Sequence, residues 1–225
     1  MYVSEAVKSR FSCRAFTEKP VSKELIKEIL DVAKQAPSGG NLQPWHIHVI
    51  SGKKLDQIVS DIESKITDMP MGEKTEYDVY PPNLWEPYRS RRFKCGEDLY
   101  KSINIPREDK AARLNQLAKN LRFFDAPVGL FVYIDRKMGP PQWSDVGMFL
   151  QTVMLIAREK GLHSCAQEAW AMWHSTVNKH LVVDDKFMLF CGMGIGYADE
   201  NHPINSWRTD REGVENFTTF YGFEK

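Results

Sequence analysis

The sequence predicts an α+β fold, with layers of helices around one sheet. Three observations predict it. Amphipathic runs at helical spacing outnumber short β-branched runs. The two kinds alternate along the chain with no internal repeat, low-complexity run or linker. The 225 residues, 42% hydrophobic and 27% charged, suffice for one domain with a hydrophobic core and no disulfide or metal staple.

A short helix opens the chain, followed by the basic string Arg10-Phe11-Ser12-Cys13-Arg14. Residues 22–36 form the next helix: Ser22 is its cap, and Leu25, Ile26, Ile29, Leu30 and Ala33 share one face. Pro37 ends that period, and Ser38-Gly39-Gly40-Asn41 is a loop. His46-Ile47-His48-Val49-Ile50 is a strand. Leu55, Ile58, Val59, Ile62 and Ile66 mark a further amphipathic helix. Residues 68–95 fit no period, and their prolines and aromatics suggest an ordered insertion or lid over a pocket. Helical patterning returns over 91–124, and 128–134 is a buried strand. Residues 143–160 are a strongly apolar helix with Gly161 at its C-cap. Residues 169–181 are helical again, 187–197 are a strand broken by glycines, and 203–225 are a C-terminal extension, polar and then aromatic.

Composition excludes several functions. Lys and Arg number 30, as do Asp and Glu, so there is no cationic surplus for nucleic acid as the main partner. No apolar stretch reaches the roughly 18 residues of a membrane span, and the start lacks an apolar signal core, so a cytoplasmic location is expected. Cys13, Cys95, Cys165 and Cys191 form no C-x-x-C and are expected to be reduced structural thiols. His46 and His48 share a strand face, but no nearby ligand completes a metal set, so none is expected. No G-x-S-x-G marks a serine hydrolase.

Four strings carry chemistry. Arg10 and Arg14 flank Ser12; in a tight turn the three converge on a phosphate dianion, although taken alone the string fits a solvated basic segment better. In the string from Ala36 to Trp45, small residues allow close backbone approach to a flat ligand. Asn41 and Gln43 there match the alternating donors and acceptors of a heterocycle edge. An ordinary turn explains the glycines but not the whole string. Gln167-Glu168-Ala169 stands where a strand gives way to a helix, whose first amides point outward. Glu168 also fits a simple helix-start charge. The glycines of 194–199 lack the G-x-G-x-x-G spacing of a dinucleotide site, while Arg208 and Arg211 are either additional phosphate ligands or surface cations.

Taken in order, these strings resemble the nitroreductase family. Residues 10–16 match its R-x-S-x-R-x-F segment, 37–45 its P-S-x-x-N-x-Q-P-W loop, and 194–199 with Arg211 its G-x-G-Y-x-[DE] segment and distal arginine. The likeness spans nearly the whole chain. Tyr80-Pro81-Pro82, the 88–93 run, Gly139-Pro140-Pro141-Gln142-Trp143 and Gln167-Glu168-Ala169-Trp170 are most similar to its nitrobenzoate or nitroaromatic reductase branch.

The resemblance implies a central mixed, mostly antiparallel sheet in an intertwined homodimer, with FMN at the subunit interface. It implies that Arg10, Ser12, Arg14 and Arg211, with Arg208 beside them, hold the FMN phosphate. Pro37, Ser38, Gly39 and Asn41 then line the isoalloxazine from the other subunit. Gln167, Glu168 and Ala169 run past the flavin, a backbone N–H near N5, although alanines at 166 and 169 depart from the family's Pro and Gly. Asn120 and Arg122 are assigned the family's mid-chain flavin contacts. The implied activity passes electron pairs from NADH or NADPH to nitroaromatics, quinones or similar acceptors by ping-pong kinetics. Trp85, Tyr88, Phe93, Phe123 and Phe124 are expected to wall the acceptor pocket, and Arg89, Arg91 and Arg92 either favour carboxylated or nitro-bearing acceptors or form a solvated run. Rival functions are reductive dehalogenation, oxygen-dependent flavin breakdown, a non-catalytic FMN-binding protein and a structural dimer without cofactor.

Overall fold

The computed structural model describes residues 1–223; the last two residues of the C-terminal extension lie outside them. The first helix, α1 (Val3–Ser9), is short, and the Glu5 carboxylate accepts the Tyr2 N–H at its start. Next comes α2 (Lys23–Ala33), where the Ser22 hydroxyl accepts the Leu25 N–H at 3.1 Å and Ile26, Ile29 and Ala33 are buried. Strand β1 (His46–Ser51) and helix α3 (Gly52–Glu63) follow, the latter burying Ile58 and Ile62. The stretch to residue 87 is irregular, and then come α4 (Tyr88–Ser102) and α5 (Lys110–Ala118). A 3-10 segment, Lys119–Asp125, leads into β2 (Val128–Asp135). Helix α6 (Pro140–Glu159) ends as expected: Gly161 has φ +76°, its N–H donates to Arg158 O, and the Leu162 N–H donates to Ala157 O. Strand β3 (His163–Gln167), a 3-10 turn at Glu168–Trp173, α7 (His174–His180) and β4 (Phe187–Gly196) complete the core.

The four strands lie in the order β1-β2-β4-β3, every pair antiparallel. The expected mixed character survives only as a parallel bridge between Ser12 and Ser164 outside the named strands. Period-two alternation on β2 explains the layering. Val128, Leu130, Val132 and Ile134 face a core shared with α2 and α6. Phe131 and Tyr133 face a second core with α3, α7 and the Glu168–Trp173 turn. Both faces are covered, so the strand reads as a continuous apolar run.

Two expectations need correction. β4 is unbroken, and its glycines make room for neighbours: a Cβ at Gly192 would lie 2.3 Å from the Trp170 ring. The helical patterning expected over 91–124 divides into α4, α5 and a 3-10 segment, and α4 begins at Tyr88, inside the irregular stretch expected to run to 95. A bidentate Arg113–Glu97 pair, 2.6 and 3.0 Å, clamps α4 to α5. The 72–77 part of the preceding stretch is strapped to the core. Glu73 accepts the Thr176 N–H and hydroxyl, and Tyr77 OH donates to Phe190 O.

Candidate active site

The segment after α1 threads between the two ends of the chain. The Cys13 N–H donates to Ser164 O at 3.0 Å, fastening it to β3. The Arg14 N–H donates to Asn205 Oδ1 at 3.0 Å. The buried Asn205 amide in turn donates to Ala15 O at 2.8 Å and Asp199 O at 2.9 Å. This clasp places Arg10, Ser12 and Arg14 beside Arg208 and Arg211 around a cleft of about 470 Å³.

The cleft is cationic. Lys8, Arg10, Arg14, Arg208 and Arg211 line it together with Ser12, Gln151 and Thr209, and no carboxylate does. Among the described residues none of the four arginines makes an ion pair. Arg14 donates to Ser12 O, Arg208 to Asn205 O, and Arg211 to the Thr209 hydroxyl and Asp210 O. Burial and the neighbouring Arg211 charge push the Arg10 pKa down. Converging guanidinium groups without a counterion define a site for an anion with several acceptor oxygens. Arg208 also lies 4.0 Å over the Phe11 ring, whose other neighbour is His163 at 5.0 Å.

β3 leads away from this cleft. Ser164 bridges Ser12, and three residues later, about 10 Å at the usual strand rise, Gln167 enters the Glu168–Trp173 turn. Gln167 donates to Asn120 O at 2.7 Å, which brings Asn120 to the turn. Ser164 Oγ and Gln167 Oε1 are buried without partners among the described residues, as expected where a ligand completes the hydrogen bonding. Beyond the turn an apolar cleft of about 390 Å³ opens between Ala169, Met172, Leu114, Leu117 and Asn120.

In the 37–45 loop, residues 39–43 are exposed. Gly40, Asn41 and Gln43 have φ of +57°, +56° and +48°. The Gln43 N–H donates to the Ser38 hydroxyl at 3.0 Å, and the Gly39 N–H donates to Asp145 Oδ2 at 3.3 Å.

Other expected residues lie elsewhere. Phe123 is fully buried, stacked on Trp170 at 4.2 Å and close to Phe131, so it is a core residue and no pocket wall. Phe124 is buried too, its ring 5.9 Å from the Arg14 guanidinium, so it backs the phosphate cleft. Arg122 is held by Glu63 and Asp125 away from the cleft. Trp85 and Tyr88 are exposed and pack edge-to-face on each other, while Phe93 lines a separate cleft with Arg89 and Arg92. The three arginines of 89–92 do not act as one patch. Arg89 pairs with Glu86, Arg91 with Glu212, and Arg92 lies 4.0 Å over Tyr80. Of the cysteines, Cys13, Cys165 and Cys191 are buried, and burial pushes the thiol of Cys13 up to about 12 and of Cys165 to about 11. Lys8, Asn205 and Asp145 were not singled out from the sequence; a lone Lys, Asn or Asp carries no local signal of convergence.

Fold and site together define an α+β protein with a cationic cleft between its N- and C-terminal segments, close to the start of β3. The Nitroreductase family model matches residues 7–197, and the chain belongs to that family. It is 41% identical to a 4-nitrobenzoate reductase of Pseudomonas putida, covering 97% of this chain and 95% of the relative. It is 36% identical to a nitrobenzene nitroreductase of Ectopseudomonas oleovorans, covering 97% and 96%. The solved structure of an FMN- and NADPH-dependent nitroreductase, NfnB of Sphigopyxis sp. strain HMH, superposes with a TM-score of 0.96 at 46% identity, covering 99% and 100%.

Proposed function

We propose that this protein is an FMN-dependent oxidoreductase that passes electron pairs from NADPH or NADH to nitroaromatics, quinones and similar electron-poor molecules. The single observation behind it is the carboxylate-free cleft where four unpaired arginines meet. The FMN- and NADPH-dependent character of the Sphigopyxis relative and the nitroaromatic substrates in the curated relatives' names support it.

Bound FMN supplies the two-electron exchange; the protein supplies binding, orientation and electrostatics. Arg10, Ser12, Arg14 and Arg211 hold the phosphate, with Arg208 supporting them. Gln167, Glu168 and Ala169 carry the ring along the end of β3, where Ser164 Oγ and Gln167 Oε1 await partners. Pro37, Ser38, Gly39, Asn41 and Gln43 close over the ring from the neighbouring protomer of a homodimer, which accounts for their exposure in one chain. The apolar cleft beside Ala169 takes the acceptor and the nicotinamide in turn, giving ping-pong kinetics. Among the described residues no helix is long and apolar enough to cross a membrane, which suits a cytoplasmic enzyme.

The direct test is Arg10→Ala. Loss of one charge-assisted contact raises the FMN dissociation constant by an amount equivalent to roughly 1.5–3 kcal/mol. Fluorescence titration of flavin-free protein measures it, and unchanged affinity would refute the phosphate assignment.

A further inference from the structure

We propose that Asp145, a buried carboxylate on α6, is a positioning residue that fixes the 37–43 loop in its ring-binding conformation by accepting the Gly39 N–H. The proposal rests on the flavin-binding role given to that loop and goes beyond it by naming the group that holds the loop in place.

Asp145 is only 4% exposed, on a helix whose other buried residues are apolar. Among the described residues it makes no ion pair, and its one hydrogen bond comes from Gly39, at 3.3 Å. A buried charge is costly, and packing alone would be served better by an apolar side chain. The Gly39 N–H is the group that gives its side chain a partner.

That contact is the loop's only tie of its kind. Asn41 N–H donates to Ser38 O, Leu42 N–H to Gly39 O, Gln43 N–H to the Ser38 hydroxyl and the Gln43 amide to Asn41 O. All of these lie within the loop. Among the described residues the Gly39–Asp145 bond alone joins 38–43 to another element. Yet this loop holds two non-glycine residues, Asn41 and Gln43, in the left-handed region. Such conformations persist only where the surroundings fix them.

Helix α6 grips the loop at both ends. One turn beyond Asp145, Phe149 stacks on Trp45 with ring centroids 4.7 Å apart and planes 14° from parallel. Positions 145 and 149 share a helix face. The aromatic stack sets the exit of the loop toward β1, and the carboxylate sets its entrance.

The test separates the ring end of the ligand from its phosphate end. Flavin-free wild type, Asp145→Leu and Asp145→Asn are titrated with FMN and with riboflavin, which lacks the phosphate, and binding is read from flavin fluorescence. Leu keeps the branching and removes the acceptor; Asn keeps an acceptor oxygen. The Leu variant is expected to bind both ligands roughly tenfold more weakly, by the same factor for each, while its flavin-free melting temperature is unchanged or raised. The Asn variant is expected within about threefold of wild type. Arg10→Ala, in contrast, should weaken FMN and leave riboflavin unaffected. Wild-type affinity for riboflavin in the Leu variant, or a loss confined to FMN, overturns the proposal while leaving the flavin function standing. A wild-type protein that binds neither ligand overturns both. If the Leu variant does not fold, Asp145→Ala is titrated in its place: equal weakening toward FMN and riboflavin supports the acceptor role, and wild-type affinity for riboflavin overturns it.

Discussion

His163 lies under the phosphate cleft among charges of one sign. Arg158 Nη1 is 3.3 Å from its Nδ1, and Arg208 is nearby across the Phe11 ring. Burial first, then the Arg158 and Arg208 charges, push its pKa from the ordinary 6.5 down to about 4. The imidazole is therefore neutral at physiological pH, and Nδ1 accepts from Arg158. The unfolded chain binds this proton more readily than the folded one. Its contribution to stability is fully present above pH 6.5 and is lost as pH falls toward 4. Between pH 7.5 and 4.5 the loss from this group amounts to roughly 2–3 kcal/mol. Urea unfolding at the two pH values should show wild type losing about that much more than His163→Gln. Equal losses in the two proteins would show that His163 is not the group responsible.

Elements built on local periodicity were legible in the sequence. The Ser22 cap, the buried face of α2, strand β2 and the glycine end of α6 all follow from spacing, and each is found where expected. What local pattern could not give is set by partners far along the chain. α4 presents Arg91, Lys94 and Cys95 to the C-terminal segment and Phe93 to the opposite side, a division that depends on Glu97 meeting Arg113. Phe123 was expected in the pocket because aromatic type signals apolar contact without saying with what; Trp170 and the absence of a side chain at Gly129 draw it into the core. Arg10, Arg14, Arg208 and Arg211 stand out by residue type and spacing, and they meet at one cleft, whereas nothing local marks Asp145 as buried. The α4 contact carries a prediction of its own. Asp210 pairs with Lys94 and Glu212 with Arg91, both at 2.7 Å, on either side of Arg211. Residues 207–212 make no backbone–backbone hydrogen bond among the described residues, so these side chains are what hold Arg211 at the cleft. Both pairs are exposed, and the effect is accordingly small. Lys94→Ala with Arg91→Ala should raise the FMN dissociation constant roughly two- to fivefold. Because Lys94 also pairs with Asp98, the swap Lys94→Asp with Asp210→Lys is made together with Asp98→Asn, and it should recover most of what Lys94→Asp with Asp98→Asn loses. No recovery in the swap would show that the latch does not set Arg211.

At the scale of the whole molecule, a cluster of aromatic side chains near the C-terminal end is exposed. Phe217, Phe220, Tyr221 and Phe223 are 64–84% exposed, and Phe220 and Phe223 meet mainly each other, edge-to-face at 5.6 Å. Single exposed apolar residues are ordinary, but a run of four aromatics in seven residues is not. Leu42 in the ring-binding loop and Met148 on α6, near the Asp145 anchor, are exposed as well. In the proposed homodimer a second copy covers these groups, and the same contact brings the 37–43 loop to the neighbouring flavin. Ligand retention should then depend on association in one kind of variant and not in another. Removing residues 214–225 leaves Arg211 and every phosphate ligand in place. The truncated chain is expected to dissociate at concentrations where the full chain sediments at twice its mass, and FMN should be lost in parallel with dimer on dilution. Arg10→Ala should shed FMN while remaining dimeric. Sedimentation velocity with absorbance read at both protein and flavin wavelengths follows the two quantities in one run. A truncated protein that stays dimeric and yellow at the lowest concentration would assign the aromatic tail some other partner, and full-length protein that is monomeric while holding FMN would remove the trans contribution of the loop altogether.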